Sequence, residues 1–268
     1  MNGNIWLAFG LTTIAGLCTG IGGATAFFAK KTNTRFLAVS LGFSAGVMIY
    51  VSMIEMFFTA QTFLIDALGK KPGSIATVAA FFGGMFFIGL IDRLIPQSSN
   101  PHEVKTLPAP ADRPAGTTST LTRTGLFTAL AIAIHNFPEG LATFVSAQQE
   151  PSLAIPIVFA IAIHNIPEGI AVSVPIYYAT GSKKKAFFYA LASGLSEPLG
   201  AVAGYLILMP FMNDVIYGLL FAAVAGIMVF ISLDELLPSA REYGEHHLSI
   251  YGLVAGMMVM AISLLLFM

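Results

Sequence analysis

Ala131-Ile132-Ala133-Ile134-His135-Asn136-Phe137-Pro138-Glu139-Gly140-Leu141-Ala142 recurs as Ala160-Ile161-Ala162-Ile163-His164-Asn165-Ile166-Pro167-Glu168-Gly169-Ile170-Ala171, with ten of twelve positions identical. Each copy lies in an apolar run long enough to cross a bilayer, whose core of about 30 Å takes about 20 residues at a helical rise of about 1.5 Å. In a helix, His and Glu at i and i+4 share one face a turn apart, and Asn sits at the adjoining edge. The stretch therefore predicts two neighbouring membrane helices that carry imidazole, amide and carboxylate groups at membrane depth.

The rest of the chain agrees. Of its 268 residues 56% are hydrophobic and only 10% charged, with a mean hydropathy of +0.80. Soluble domains carry about 25% charge, so this chain lacks the polar surface to cover a water-exposed globule. Apolar runs of membrane length fall near Ile5 to Phe28, Phe36 to Leu64, Ser74 to Leu94, Leu121 to Ala147, Leu153 to Ala179, Ala186 to Met212, Val215 to Leu237 and Leu248 to Met268. They predict an all-α polytopic membrane protein of eight transmembrane helices, one unit over residues 1–268. The first run is read as a retained helix, because Met1 to Asn4 lacks the positive segment of a signal peptide. A net charge of -1 excludes an electrostatic nucleic-acid binder, and the lone Cys18 excludes both an intrachain disulfide and a cysteine-based zinc motif.

Lys and Arg are retained on the cytoplasmic side, and eleven of the thirteen fall at connections 1-2, 3-4, 5-6 and 7-8 or the helix ends beside them. Only Lys70 and Lys71 lie on the other side. Both termini are therefore expected outside, with the longest connection, Pro96 to Thr120, in the cytoplasm. Its five prolines among small polar residues read as a flexible linker rather than a second domain.

A second repeat links distant helices. Ala45-Gly46-Val47-Met48-Ile49-Tyr50-Val51-Ser52-Met53-Ile54-Glu55-Met56 aligns, 180 residues on, with Ala225-Gly226-Ile227-Met228-Val229-Phe230-Ile231-Ser232-Leu233-Asp234-Glu235-Leu236, five of twelve positions being identical. Any two apolar helices share small residues, but not a matched Ser and Glu. Helices 2 and 7 cross in opposite directions, so the match predicts an inverted repeat of helices 1–3 and 6–8 around helices 4–5. Inverted repeats are a transporter signature, because exchanging the conformations of the halves exchanges inward-open and outward-open states. The reading is alternating access with the repeats moving against each other.

Pro138 and Pro167 lack an N–H and are expected to kink their helices, releasing the carbonyls of Ile134 and Ile163. The glycine after each Glu lets another backbone approach. Glu139, Glu168 and Glu197, the last in Ser196-Glu197-Pro198, lie well inside their runs, where a charge costs at least about 2.5 kcal/mol on insertion scales. The basic residues stand near helix ends, so the missing partner is a proton or a cation. Imidazole, carboxylate and amide together suit Zn²⁺, Fe²⁺, Mn²⁺, Co²⁺ or Cd²⁺ better than Ca²⁺ or Mg²⁺. The bland alternative is a packed core with protonated acids; three intramembrane acids in two motif copies weigh against it. An intramembrane metal-dependent hydrolase lacks an H-E-x-x-H helix and a separate nucleophile here, and a proton-driven metal exporter stays as the other rival.

With its paired His-Asn-x-Pro-Glu-Gly motifs, Glu197 and eight helices, the chain resembles the ZIP (Zrt/Irt-like) metal transporters over essentially its whole length, and the bacterial branch most closely. The resemblance implies import of divalent metal, zinc first, across the plasma membrane (in bacteria the inner membrane), with no enzymatic activity and with zinc as substrate rather than cofactor. It implies a binuclear site: His135, Glu139, His164, Glu168 and Glu197 on the first metal, and Asn136, Asn165, Glu139 and Glu168 on the second, the two glutamates bridging. His102 is the only histidine of the 3-4 connection, which argues against a loop metal sensor. Divalent metal and the lipid bilayer are the expected partners, and a homodimer is left open. Glu55, Asp234 and Glu235, as repeat mates near helix ends, are candidate path residues; acids there oppose the helix macrodipole unless they serve a cation. Glu242, Glu245, His246 and His247 read as a solvated turn.

Overall fold

The computed structural model describes residues 4–25, 34–94, 133–134, 136–148, 151–242 and 246–267. Among these there is no strand. We label eight helices in chain order. The helix α1 is Ile5–Ala24; α2 runs Thr34–Tyr50, then a π-turn Val51–Met56, then Phe57–Leu68; α3 is Lys70–Leu94; α4 is described over 136–148. Next, α5 is Pro151–Thr180; α6 is Lys183–Gly194 and Ser196–Ala203, ending in a π-turn Gly204–Leu208; α7 is Asp214–Ile231, a π-turn Ser232–Leu236, and Leu237–Glu242; α8 is His246–Phe267. Seven of them are long and apolar enough to cross a membrane, and 136–148 is the described part of the remaining expected span. The chain is an all-α, multi-pass membrane protein. The connection Pro96 to Thr120, with His102, lies outside the described residues.

Local chemistry sets the helix starts and stops. Asn4, Ser182 and Asn213 cap α1, α6 and α7 by accepting main-chain N–H bonds. Gly69 and Gly181, at φ of 86° and 64°, turn the chain out of α2 and α5 in a conformation that disfavours side chains. Pro138 and Pro167, where kinks are expected, lie within the described helical residues 136–148 and Pro151–Thr180. The interruption falls at Leu195, where Pro198 cannot donate to the Gly194 carbonyl. The other irregularities are a 3-10 turn at Met209–Phe211 and π-turns, and the π-turns of α2 and α7 fall at matching places in the 180-residue repeat.

Helices approach wherever glycine admits a carbonyl. A Cβ on Gly22 would collide with the carbonyl of Ile166, and one on Gly169 with that of Thr19, so α1 and α5 meet backbone to backbone. Gly200 and Gly140 admit the carbonyls of Phe137 and Glu197 in the same way, joining α6 to α4. Gly16 and Gly194 each face the other's carbonyl, joining α1 to α6. Elsewhere Gly42, Gly46, Gly252 and Gly256 seat α2 against α8, and Gly84 and Gly226 seat α3 against α7. Without a hydrophobic drive between helices in lipid, such close packing is what holds a bundle together. The glycine contacts sort the helices into two groups, α1, α4, α5 and α6 in one, α2, α3, α7 and α8 in the other.

Candidate metal site

The described polar residues of the α4 and α5 motifs turn into the protein interior. Asn136, Glu139, His164, Asn165, Glu168 and Glu197 are all essentially fully buried, at 0–1% exposure. His135 lies outside the described residues. His164 Nε2 stands 3.3 Å from Glu139 Oε2, which bridges the two motif copies. Asn165 Nδ2 donates to Glu197 Oε1 and, at 2.9 Å, to the carbonyl oxygen of Ala15, which ties α5 to α6 and α1. Glu197 is within electrostatic reach of both Glu139 and Glu168. The three acids read from the sequence are therefore brought into one buried region.

Several acceptor atoms there have no hydrogen-bond partner: Glu139 Oε1, Asn165 Oδ1 and Glu197 Oε2. A buried carboxylate oxygen without a partner is strongly destabilising, so two of them beside an unpartnered amide oxygen call for a cation or protons. Among the described residues, Lys and Arg stand at helix ends: Arg35, Lys70, Lys71, Arg93, Lys183, Lys184, Lys185 and Arg241. Among the described residues no three imidazole, carboxylate or thiol groups converge on one point, so the geometry is two hydrogen-bonded pairs rather than a closed cage. Oxygen and nitrogen donors in that arrangement suit zinc and its neighbours.

The second-rank residues lie elsewhere. Glu55, half-buried, sits in the α2 π-turn, in the helix interior rather than at its end, because α2 continues to Leu68. This corrects the macrodipole argument for Glu55. Glu235 is buried and Asp234 exposed, both in the α7 π-turn. His246 and His247 are exposed at the start of α8; Glu245 lies outside the described residues. Sequence reasoning missed Ser44, whose hydroxyl donates to the His164 carbonyl at 3.2 Å across the two helix groups, and the Ala15 carbonyl. A serine in an apolar run carries no signal by itself, and a carbonyl carries none at all.

Fold and site define a multi-pass membrane protein with a buried polar centre of histidine, asparagine and glutamate side chains. The sequence matches the family described as ZIP Zinc transporter over residues 93–264. It is 65% identical to the "Zinc transporter ZupT" of Streptococcus mutans over 267 residues, covering all of both chains. It is 63% identical to the protein of the same name from Clostridium perfringens, covering 98% of this chain and 97% of that one, and 61% identical to that of Lysinibacillus sphaericus, covering 99% of each. The chain belongs to the ZIP family. These relatives are transporters, not enzymes.

Proposed function

We propose that the chain imports zinc into the cytoplasm through a site built from His135, Asn136, Glu139, His164, Asn165, Glu168 and Glu197, binuclear with Glu139 and Glu168 as bridges. The observation that carries this is the burial of Glu139, Glu168 and Glu197 in one region, with unpartnered oxygens on the first and last. The naming of the full-length relatives as zinc transporters supports zinc first. Iron, manganese, cobalt and cadmium fit the same donors.

No coupled ion is required. An interior-negative potential is worth about 2.3 kcal/mol per charge per 100 mV, so a dication gains about 4.6 kcal/mol, over three decades of concentration. The excess of basic residues at alternate connections supports termini outside and the 96–120 connection in the cytoplasm.

The packing suggests how access alternates. The inverted-repeat reading is supported by the matched π-turns and by the α1–α5 and α4–α6 contacts, which have the same form. The two repeats are interleaved by glycine contacts, so the pieces that move are the two helix groups rather than the repeats. Polar contacts cross between the groups, among them Ser44 to the His164 carbonyl and Ser146 to Tyr217 at 3.2 Å, and hydrogen bonds are easier to exchange than backbone packing. Phe9 of α1, Phe144 of α4 and Tyr205 of α6 pack together within one group, with Phe9 and Phe144 ring centres 4.7 Å apart.

The test is uptake of radioactive zinc into vesicles carrying Glu139→Ala or Glu168→Ala under an imposed potential. Uptake is expected to vanish while thermal stability holds, since removing a buried acid relieves desolvation and removing a ligand empties the site. Uptake near that of the unaltered protein in either variant would overturn the assignment.

A further inference from the structure

The motif-bearing helices are related to each other in a way that exposes one more position of the site. The contacts of α1 with α5 and of α6 with α4 are the same contacts: Gly22 on Ile166 corresponds to Gly200 on Phe137, and Gly169 on Thr19 to Gly140 on Glu197. Exchanging α4 with α5 also exchanges Thr19 with Glu197, Gly22 with Gly200, and Gly16 with Gly194, whose mutual contact then lies on the axis of exchange. The local sequences agree: Gly16-Leu17-Cys18-Thr19-Gly20-Ile21-Gly22 against Gly194-Leu195-Ser196-Glu197-Pro198-Leu199-Gly200. Thr19 thus occupies the place in α1 that the metal-site acid Glu197 occupies in α6.

The Thr19 hydroxyl behaves accordingly. A threonine in a membrane helix ordinarily satisfies itself by donating to the carbonyl one turn back. Thr12 donates to Ala8 at 2.9 Å, Thr13 to Phe9 at 2.7 Å, and Thr25 to Gly22 at 2.6 Å. Thr19 does not: it is 0% exposed, and its Oγ1 has no hydrogen-bond partner. The carbonyl it would use, that of Ala15, accepts from Asn165 Nδ2, the same amide group that holds Glu197. The hydroxyl lies against α6, 3.0 Å from where a Cβ on Gly194 would stand, and an idle hydroxyl in a fully buried place is an open valence.

We propose that Thr19 is a further residue of the metal site, its hydroxyl holding a water of the bound ion at the position related to Glu197. The side chain is two carbon atoms shorter than that of glutamate, so its oxygen stops about 2.5 Å short of a carboxylate's reach, close to the length of one O–H···O hydrogen bond to water. A neutral group at this position also keeps the site at three acids, where a fourth would bind a dication too tightly to release it. The inference rests on the reading of the central acids as the metal site.

The experiment compares Thr19→Val, Thr19→Ser and Glu168→Ala by zinc calorimetry, thermal unfolding and vesicle uptake of the full chain. Valine keeps the shape and removes the hydroxyl. Thr19→Val is expected to bind zinc about fivefold more weakly, the loss of one ordinary hydrogen bond, with uptake at low zinc falling alongside and Tm unchanged or raised. Thr19→Ser is expected to restore binding. A Thr19→Val protein with unaltered zinc affinity, one with lowered Tm, or a binding loss that serine does not rescue would each overturn the proposal in favour of a packing role. Glu168→Ala separates the two readings: if it still binds zinc, the site assignment itself falls, whereas zinc binding lost in Glu168→Ala but intact in Thr19→Val removes Thr19 alone.

Discussion

Glu139 and His164 come from different copies of one motif, yet they meet at 3.3 Å in a region closed to solvent. On the proposed reading, the two copies facing each other supply the donors that neither offers alone. His164 is where discrimination among metals is expected, because imidazole favours zinc over Mn²⁺, which accepts all-oxygen sites readily. In His164→Ala, zinc uptake is expected to fall about tenfold or more and Mn²⁺ uptake by clearly less. Competition between the two ions in the same vesicles checks this, and equal losses would count against His164 as a selectivity ligand.

Glycines order the helices in a way that single substitutions can read. Gly83 has open space where a Cβ would stand, while Gly84 beside it faces the Ala223 carbonyl of α7. Gly83→Ala is expected to be neutral or stabilising by about 0.5–1 kcal/mol, since alanine is the better helix former. Gly84→Ala is expected to destabilise by about 1–3 kcal/mol, because α3 must retreat from α7. Thermal unfolding in detergent distinguishes them, and equal Tm values would mean that α3 does not pack on α7 through backbone contact. The π-turns of α2 and α7 show what an element-level reading misses. Each adds a residue to a turn and shifts the face of everything beyond it, so Glu55 and Glu235 are not where an uninterrupted α-helix would put them.

For the whole molecule, transport of an uncoupled dication ties accumulation to membrane potential. Steady-state zinc accumulation is expected to change about tenfold per 30 mV and to ignore an imposed pH gradient. A pH-driven flux would instead support the proton-driven exporter. The repeat also predicts opposite duties for its two matched acids. Glu55→Gln is expected to raise the apparent Michaelis constant about two- to fivefold by removing attraction at an entry. Glu235→Gln is expected to lower the maximal rate with less effect on outside affinity. A Glu55→Gln protein that binds no metal centrally would place Glu55 among the ligands.

The sequence by itself determined the helices and the chemistry they carry. Apolar runs of bilayer length must be helical, because lipid offers nothing to unsatisfied backbone groups, and acids inside such runs are too costly to be incidental. Family membership was legible in the paired motif for the same reason. Tertiary structure decided what depends on neighbours. Whether Gly22 is a contact or a gap, and which group the Ala15 carbonyl meets, are set by the helix packed alongside, not by local composition. Thr19 shows the difference most plainly. In the sequence it is one of several threonines in an apolar run; only the amide of Asn165, arriving from α5 to take the carbonyl of Ala15, leaves its hydroxyl unpaired.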